Sequence, residues 1–280
     1  MTWEETIQYI RSKSEYKELV AQAYFEEDLA LNVKRFSASD EFSETLKLIQ
    51  QYAPAAKRIA DIGAGNGVSS VAMAQHGYEV IAIEPYESST VGYGAIEILK
   101  QNLNLTNLSV LAEYGEKISL PDKSVEVVYV RQAMHHAADL EKFMAEAGRI
   151  LRRGGLFFGV REHVIYNEKD KLWFLESHPL QKFYGGENAF TVAQYLNAIS
   201  QAGLKTEKVF RYFDSVINYF PLAEKDFSAR HLLGNKIGAL AEIQLLQWLY
   251  RAYFRLRYGK NILDDSRIAG RMYSFIALKP

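Results

Sequence analysis

The chain has 280 residues, of which 48% are hydrophobic and 24% charged, and its formal net charge is −1. That is the balance of an ordinary globular protein with room for one large domain or a core domain with appendages, and no global positive field draws nucleic acid to it. The absence of cysteine excludes disulfides, thiolate metal sites and a cysteine nucleophile. The opening residues "MTWEETIQYI" carry two glutamates and lack the basic-then-apolar pattern of a secretory leader. No apolar run reaches the roughly 18 residues of a membrane span, so the expected location is cytoplasmic.

Residues 2–52 read as helical, with Thr2 and Glu5 at capping-box spacing and Phe42, Leu46 and Ile49 on one helical face. Pro54 marks a boundary. The expected organisation is a helical N-terminal cap, 1–53, followed by one ligand-binding domain, 54–280. Within that domain "RIADI" (58–62), "EVIAIE" (79–84), "LSVLA" (108–112), "VEVVYV" (125–130) and "LFFGV" (156–160) are buried-strand candidates. Helical stretches lie between them, the last running from Asp139 to a stop at Arg152, Arg153 and two glycines. Strand–helix alternation predicts an α/β fold, a Rossmann-like sheet with helices on both faces.

The rhythm breaks after the fifth strand. Residues 163–190 form a long aromatic-rich connection with Gly185 and Gly186 at its tip, suited to closing over a site. A helix (191–202) and a strand (204–213) resume the alternation, 222–268 is again helical, and 271–279 is a final strand. The segments 163–190 and 222–268 are lid candidates. In "QLLQWLYRAYFRLRYGK" (244–260), apolar residues are mixed with Arg251, Arg255, Arg257 and Lys260. Such a helix suits a membrane surface or an anionic acceptor. Burial of its apolar side in the domain is the commoner outcome and the one expected here.

The strongest local signal is "DIGAGNG", where Gly63, Gly65 and Gly67 follow the first strand. Loops at the carboxyl edge of an open sheet bind ligands. The dinucleotide pattern G-x-G-x-x-G would need glycine at Val68, so a pyrophosphate cradle is poorly matched. Asp61 beside the loop suits a ligand with an ammonium or sulfonium group. Glu84, 21 residues after Gly63 at the end of the second strand, is placed to accept both ribose hydroxyls.

With "IAIEP", "ISLPDKSVEVVYVRQAMHH" and "EAGRILRRGGLF", this loop resembles the successive motifs of class I S-adenosylmethionine-dependent methyltransferases. The similarity covers about residues 55–162 and is greatest to the branch of the ubiquinone and menaquinone biosynthesis enzymes. It implies a seven-stranded sheet with the last strand antiparallel and S-adenosyl-L-methionine as cofactor, with S-adenosyl-L-homocysteine as product. It also implies that Asp61, Gly63, Ala64, Gly65 and Gly67 line the methionine and ribose part of the cofactor. Glu84 would hold the ribose hydroxyls, with Pro85 and Tyr86 beside the adenine, and Arg131 and Gln132 would face the methionine end. The family often has an adenine-binding Asp in a Gly-Asp-Ala stretch; here Glu113, Tyr114 and Gly115 stand in that place. The Tyr114 hydroxyl, Glu116 or the backbone would take over that contact.

Methyl transfer is an in-line displacement that depends on positioning, and a hydroxyl acceptor gains from a base near neutral pKa. The candidate bases are His163, His136 and His135 at strand ends, then His178 in the long connection, each also readable as a structural histidine. The family often has a histidine at the place of His136, where it shapes the pocket. Glu162 could orient a histidine. The spacings of these residues match no metal motif, so no metal is expected. Trp173, Phe174, Phe183 and Tyr184 would pack the connection or line an acceptor pocket.

The reading is O-methylation of a small molecule, a quinol, phenol or sugar. "SHPLQKFYGGENAF" resembles bacterial methyltransferases of polysaccharide biosynthesis, which favours a sugar or glycoconjugate. An NAD-dependent oxidoreductase or epimerase would need the missing third glycine and a Tyr-x-x-x-Lys pair. A non-catalytic S-adenosylmethionine-binding protein stays open, as do the acceptor and the oligomeric state.

Overall fold

The computed structural model describes residues 1–178, 180, 182–184, 188–221, 233, 237–258 and 271–280. The chain begins with four helices, α1 (Trp3–Arg11), α2 (Lys17–Gln22), α3 (Leu29–Ser37) and α4 (Asp40–Tyr52). Thr2 caps α1 reciprocally: its hydroxyl accepts from the Glu5 N–H at 3.2 Å, and the Glu5 carboxylate accepts from the Thr2 N–H at 2.8 Å. The alternating part follows as β1 (Arg58–Ile62), α5 (Val68–Gln75), β2 (Glu79–Ile83), α6 (Tyr93–Asn102), β3 (Leu108–Leu111), β4 (Val125–Arg131), α7 (Leu140–Ile150) and β5 (Leu151–Ile165). Then come α8 (Glu168–Ser177), β6 (Phe190–Thr191), α9 (Val192–Gln201), β7 (Lys205–Phe210), α10 (Val216–Tyr219), α11 (Gln244–Tyr258) and β8 (Met272–Leu278).

Seven strands run in the order β3-β2-β1-β4-β5-β8-β7, and β6 adds a two-residue parallel pairing at the end of β5. Strands β1 to β5 are mutually parallel where they pair, and β8 is antiparallel to both β5 and β7. The expected class I sheet is therefore present, with one short addition.

Side-chain alternation divides the core between the two faces of the sheet. In β4, Val128 and Val130 join the apolar layer under α7 and α9, while Val127 and Tyr129 join the layer under α3, α4 and α5. Both faces are covered, as a parallel sheet requires.

Three boundaries differ from the sequence expectation. Helix α7 stops at Ile150, not at Arg153, because Lys279 donates to the carbonyls of Gly148 (2.6 Å) and Leu151 (2.7 Å) and the chain turns directly into β5. Strand β5 is longer at both ends than 156–160, since β8 pairs as far as His163. The connection expected over 163–190 contains α8, capped by the Asn167 side chain accepting from the Asp170 N–H at 3.0 Å. Gly185, Gly186 and most of 222–236 and 259–270 lie outside the described residues.

Candidate functional site

The loop after β1 is fastened to the next strand. Gly63 and Ala64 N–H donate to the Ile83 carbonyl at 2.8 and 3.2 Å, and Gly65 N–H donates to Glu84 at 2.8 Å. Gly65 has φ +56° and open space where a Cβ would stand. Gly67, at φ +81°, would place a Cβ 2.8 Å from the Ile96 side chain. One glycine thus keeps a cavity wall low, and the other lets α5 and α6 pack closely.

That loop borders a cavity of about 560 Å³ at the carboxyl end of the sheet. Its floor holds Gly63, Ala64 and Gly65, with Glu84, Pro85 and Tyr86 along one side. Tyr114, Gly115 and Glu116 form the adjoining rim. Arg131 ends β4 and Gln132 follows it, and His135, His136, His163 and His178 also line the cavity. The expected site residues converge here with two exceptions, Asp61 and Gly67.

Asp61 is fully buried behind the loop, where one carboxylate oxygen accepts from Ser69 (2.7 Å) and Ser70 (2.6 Å) at the start of α5. Asp61 is therefore not among the residues that border the cavity: its serine partners belong to α5, and its other carboxylate oxygen is buried without a hydrogen-bond partner. Burial raises its pKa, against the lowering effect of the two serines and Arg131. Gly67 is likewise a packing glycine.

Glu84 is 5% exposed, and each oxygen accepts one backbone hydrogen bond, from Gly65 at 2.8 Å and Tyr86 at 3.1 Å. Burial pushes its pKa up to about 7 despite those two donors, with the charge of Asp61 adding to the rise. Further acceptor capacity remains on both oxygens. Tyr86 and Tyr114 meet edge to face, 6.4 Å between centroids, and Tyr114 is 61% exposed. Glu116 accepts from the Ala138 and Asp139 N–H groups at 2.9 and 3.4 Å, which fixes it to the rim.

Arg131 borders the cavity, but its guanidinium is held by Glu41: Nε donates at 2.6 Å and Nη2 at 3.2 Å. It lies over the rings of Tyr24 and Phe36, 5.7 and 5.3 Å from their centroids. Burial opposes its charge, and the Glu41 carboxylate more than restores it, so its pKa is raised. Arg161 donates to the same carboxylate at 3.4 Å and to the carbonyls of Ile217 and Phe220. Sequence reasoning missed Glu41, which looks like any polar residue in an amphipathic helix.

The histidines form one cluster. The His135 ring lies 4.2 Å from that of His136 and 4.6 Å from that of His163, and His163 is 5.3 Å from His178. Glu162 is fully buried beside them. It accepts from the backbone N–H groups of Ala133, Met134 and His135 at 2.9, 3.1 and 3.2 Å and pairs with His135 Nδ1 at 2.8 Å. A carboxylate only accepts, so Nδ1 carries the proton and Nε2 is the basic nitrogen of the neutral ring. Burial, reinforced by His135, lowers the pKa of His136 well below the usual value and that of His178 to about 4. Among the described residues no group of acidic and histidine side chains could hold a metal ion.

The roof comes from the N-terminal helices together with His178, Leu180, Phe183 and Tyr184. Trp3, Leu19 and Phe25 border the cavity together with Leu180 and Tyr184. Trp3 meets Phe25, His136 and Tyr184 edge to face at 5.7, 5.9 and 5.4 Å, and Tyr9 meets Phe183 at 4.9 Å. Of the aromatics singled out in the connection, Tyr184 lines the cavity, Phe183 packs the roof and Phe174 is buried against His163. Trp173 is 41% exposed.

A methyltransferase-domain family matches residues 60–159. The chain is 32% identical over 117 residues to an uncharacterised methyltransferase of Mycobacterium tuberculosis, covering 42% of each chain. It is 30% identical over 105 residues to a ubiquinone biosynthesis O-methyltransferase of Mesorhizobium japonicum, covering 36% of this chain and 39% of that protein. The chain thus spans well under half the length of these curated relatives. The fold is similar to that of a geranyl diphosphate C-methyltransferase from Streptomyces coelicolor, solved with S-adenosyl-L-homocysteine. The TM-score is 0.56 at 12% identity, with 85% of this chain and 76% of that one covered.

Proposed function

Because the chain belongs, through residues 60–159, to the class I S-adenosylmethionine-dependent methyltransferases, we propose that it methylates a hydroxyl of a small molecule held under the aromatic roof. The observation that carries this reading is that Glu84, the Gly63–Gly65 loop and His135, which is paired with the buried Glu162, border one cavity.

The chain's own residues fit the cofactor. Gly65 leaves open space where any side chain would intrude. Glu84 retains acceptor capacity on both oxygens for two ribose hydroxyls. When bound, S-adenosyl-L-methionine supplies an electrophilic methyl group on a sulfonium. Pro85 and Tyr86 would flank its adenine, and the Tyr114–Glu116 rim would close that end. Arg131, held by Glu41, would shape the methionine end.

His135 is the assigned general base. Its Nε2 takes the proton from the acceptor hydroxyl, and Glu162 stabilises the resulting imidazolium. His136 and His178 are disfavoured as bases because burial and the neighbouring His135 oppose their protonation. The apolar and aromatic roof, with Trp3, Phe25 and Tyr184, suits the face of a quinol, a phenol or a sugar ring. Residues 1–53 act in this reading as a cap over the catalytic domain 54–280, with Leu180, Phe183 and Tyr184 as the part of the lid that meets it.

The test is transfer of labelled methyl groups to a panel of quinols, phenols and sugars, alongside calorimetry with S-adenosyl-L-methionine and NAD. Turnover on one class supports the assignment. Tight S-adenosyl-L-methionine binding without turnover across the panel indicates a non-catalytic binder, and NAD binding overturns the reading.

A further inference from the structure

Helix α11 turns its apolar side outward. Leu245, Trp248, Leu249, Tyr253 and Leu256 recur at helical spacing and are 63%, 63%, 47%, 55% and 89% exposed. Tyr250 is the inward anchor, packed against Leu233 and Ala241. On the preceding turn Leu240 and Ile243 are also exposed, at 58% and 47%. The burial in the domain that the sequence pattern favours is not what is found: among the described elements α11 packs chiefly on residues 238–242, and this stripe is exposed. Contiguous apolar surface of this kind marks an interaction site.

Charge indicates what covers it. Within α11 the sequence has three basic residues, Arg251, Arg255 and Arg257, and no acidic one, in a chain of net charge −1. A second copy of the helix would set two basic runs against each other. The stripe is a ridge on one helix and offers no groove for an acidic peptide helix. Trp and Tyr on the margin of an apolar stripe, with basic residues alongside, are the pattern of helices lying in a lipid interface. At 15 residues α11 is too short to cross a bilayer, and no helix among the described residues is long and apolar enough to do so.

We propose that α11 docks the protein on an anionic membrane surface. The helix lies in the plane of the interface, with Leu245, Leu249 and Leu256 against the acyl chains and Trp248 and Tyr253 at headgroup level.

The experiment is flotation of the full chain with vesicles of phosphatidylcholine alone or containing about one-third phosphatidylserine, with and without added salt. The expected result is about tenfold stronger partition to the anionic vesicles, reduced several-fold by salt. The double variant L249E/L256E should stay at background, while its near-ultraviolet circular dichroism and melting temperature match the parent. A blue shift of the emission on adding anionic vesicles, absent in W248F, would place Trp248 in the interface. The proposal is overturned by equal partition to both vesicle types, by no partition at all, or by partition that survives L249E/L256E. It is equally overturned if the parent sediments as a dimer that L249E/L256E dissociates.

Discussion

Glu84 accepts a hydrogen bond from the Gly65 N–H at 2.8 Å, so the residue following β2 and the glycine loop after β1 form one rigid ledge. A buried carboxyl with a pKa near 7 on that ledge makes ligand binding sensitive to protons. Hydroxyl donors favour the ionised form, so affinity for S-adenosyl-L-homocysteine should be full above pH 7 and fall as pH drops below it, approaching tenfold per unit. Glu84→Gln should weaken binding by about 1–3 kcal/mol at pH 8 and flatten this dependence. Calorimetry from pH 6 to 8.5 checks both, and an unchanged affinity would remove Glu84 from the site.

His135 and Glu162 should separate in kinetics. His135→Ala is expected to lower kcat by about 10²–10⁴ with cofactor affinity preserved, and to abolish the acidic limb of the pH–rate profile. Glu162→Gln should move that limb to lower pH, because the imidazolium loses its stabilising partner, and should lower kcat more than it raises KM. A profile unmoved in both variants would assign the base elsewhere in the cluster.

Gly67→Ala should destabilise the protein by about 1–3 kcal/mol, from the strained φ and the 2.8 Å approach to Ile96. Adding Ile96→Ala should cost less than the sum of the two single changes, since it removes the obstructing atoms. Gly65→Ala, at φ +56°, should cost about 1 kcal/mol in backbone strain alone, since its Cβ meets no protein atom, and should lower ligand affinity by filling the open space there. Urea denaturation and calorimetry on the four variants, Ile96→Ala alone included, distinguish the roles of the two glycines.

Glu41 is fully buried between Arg131 and Arg161. Glu41→Gln leaves two buried guanidinium groups without their counter-charge and should cost about 3–5 kcal/mol in urea denaturation. A loss below about 1 kcal/mol would show that the two arginines find compensation elsewhere.

The strands of the parallel half were legible because each is a short apolar run between turn signals, and Glu84 was legible because its spacing from Gly63 places it beside the loop. The ends of β5 were not. Arg152 and Arg153 read as a helix terminus, and "REHVI" lacks the apolar run of the strand centre, yet pairing with β4 at Leu151, with β8 as far as His163 and with β6 at Val164 and Ile165 extends the strand through both. Asp61 was read as a ligand-facing group because its neighbourhood in sequence is the loop. Its partners Ser69 and Ser70 come one turn into α5 and draw it behind the wall. Glu41 and Trp3 carried no signal at all, since their roles exist only once α1 and α4 are laid against the sheet.

Strand β8 follows every other strand in the chain yet lies between β5 and β7, and its Met272 borders the cavity. During synthesis β5 must therefore present an unpaired edge until the last segment emerges, and β7 has no neighbour to join before then. The β5–β8 pairing joins residues more than a hundred positions apart, and contacts of that separation slow folding. Until that strand threads into place, the nascent protein has its glycine loop but no finished chamber for a ligand to stabilise.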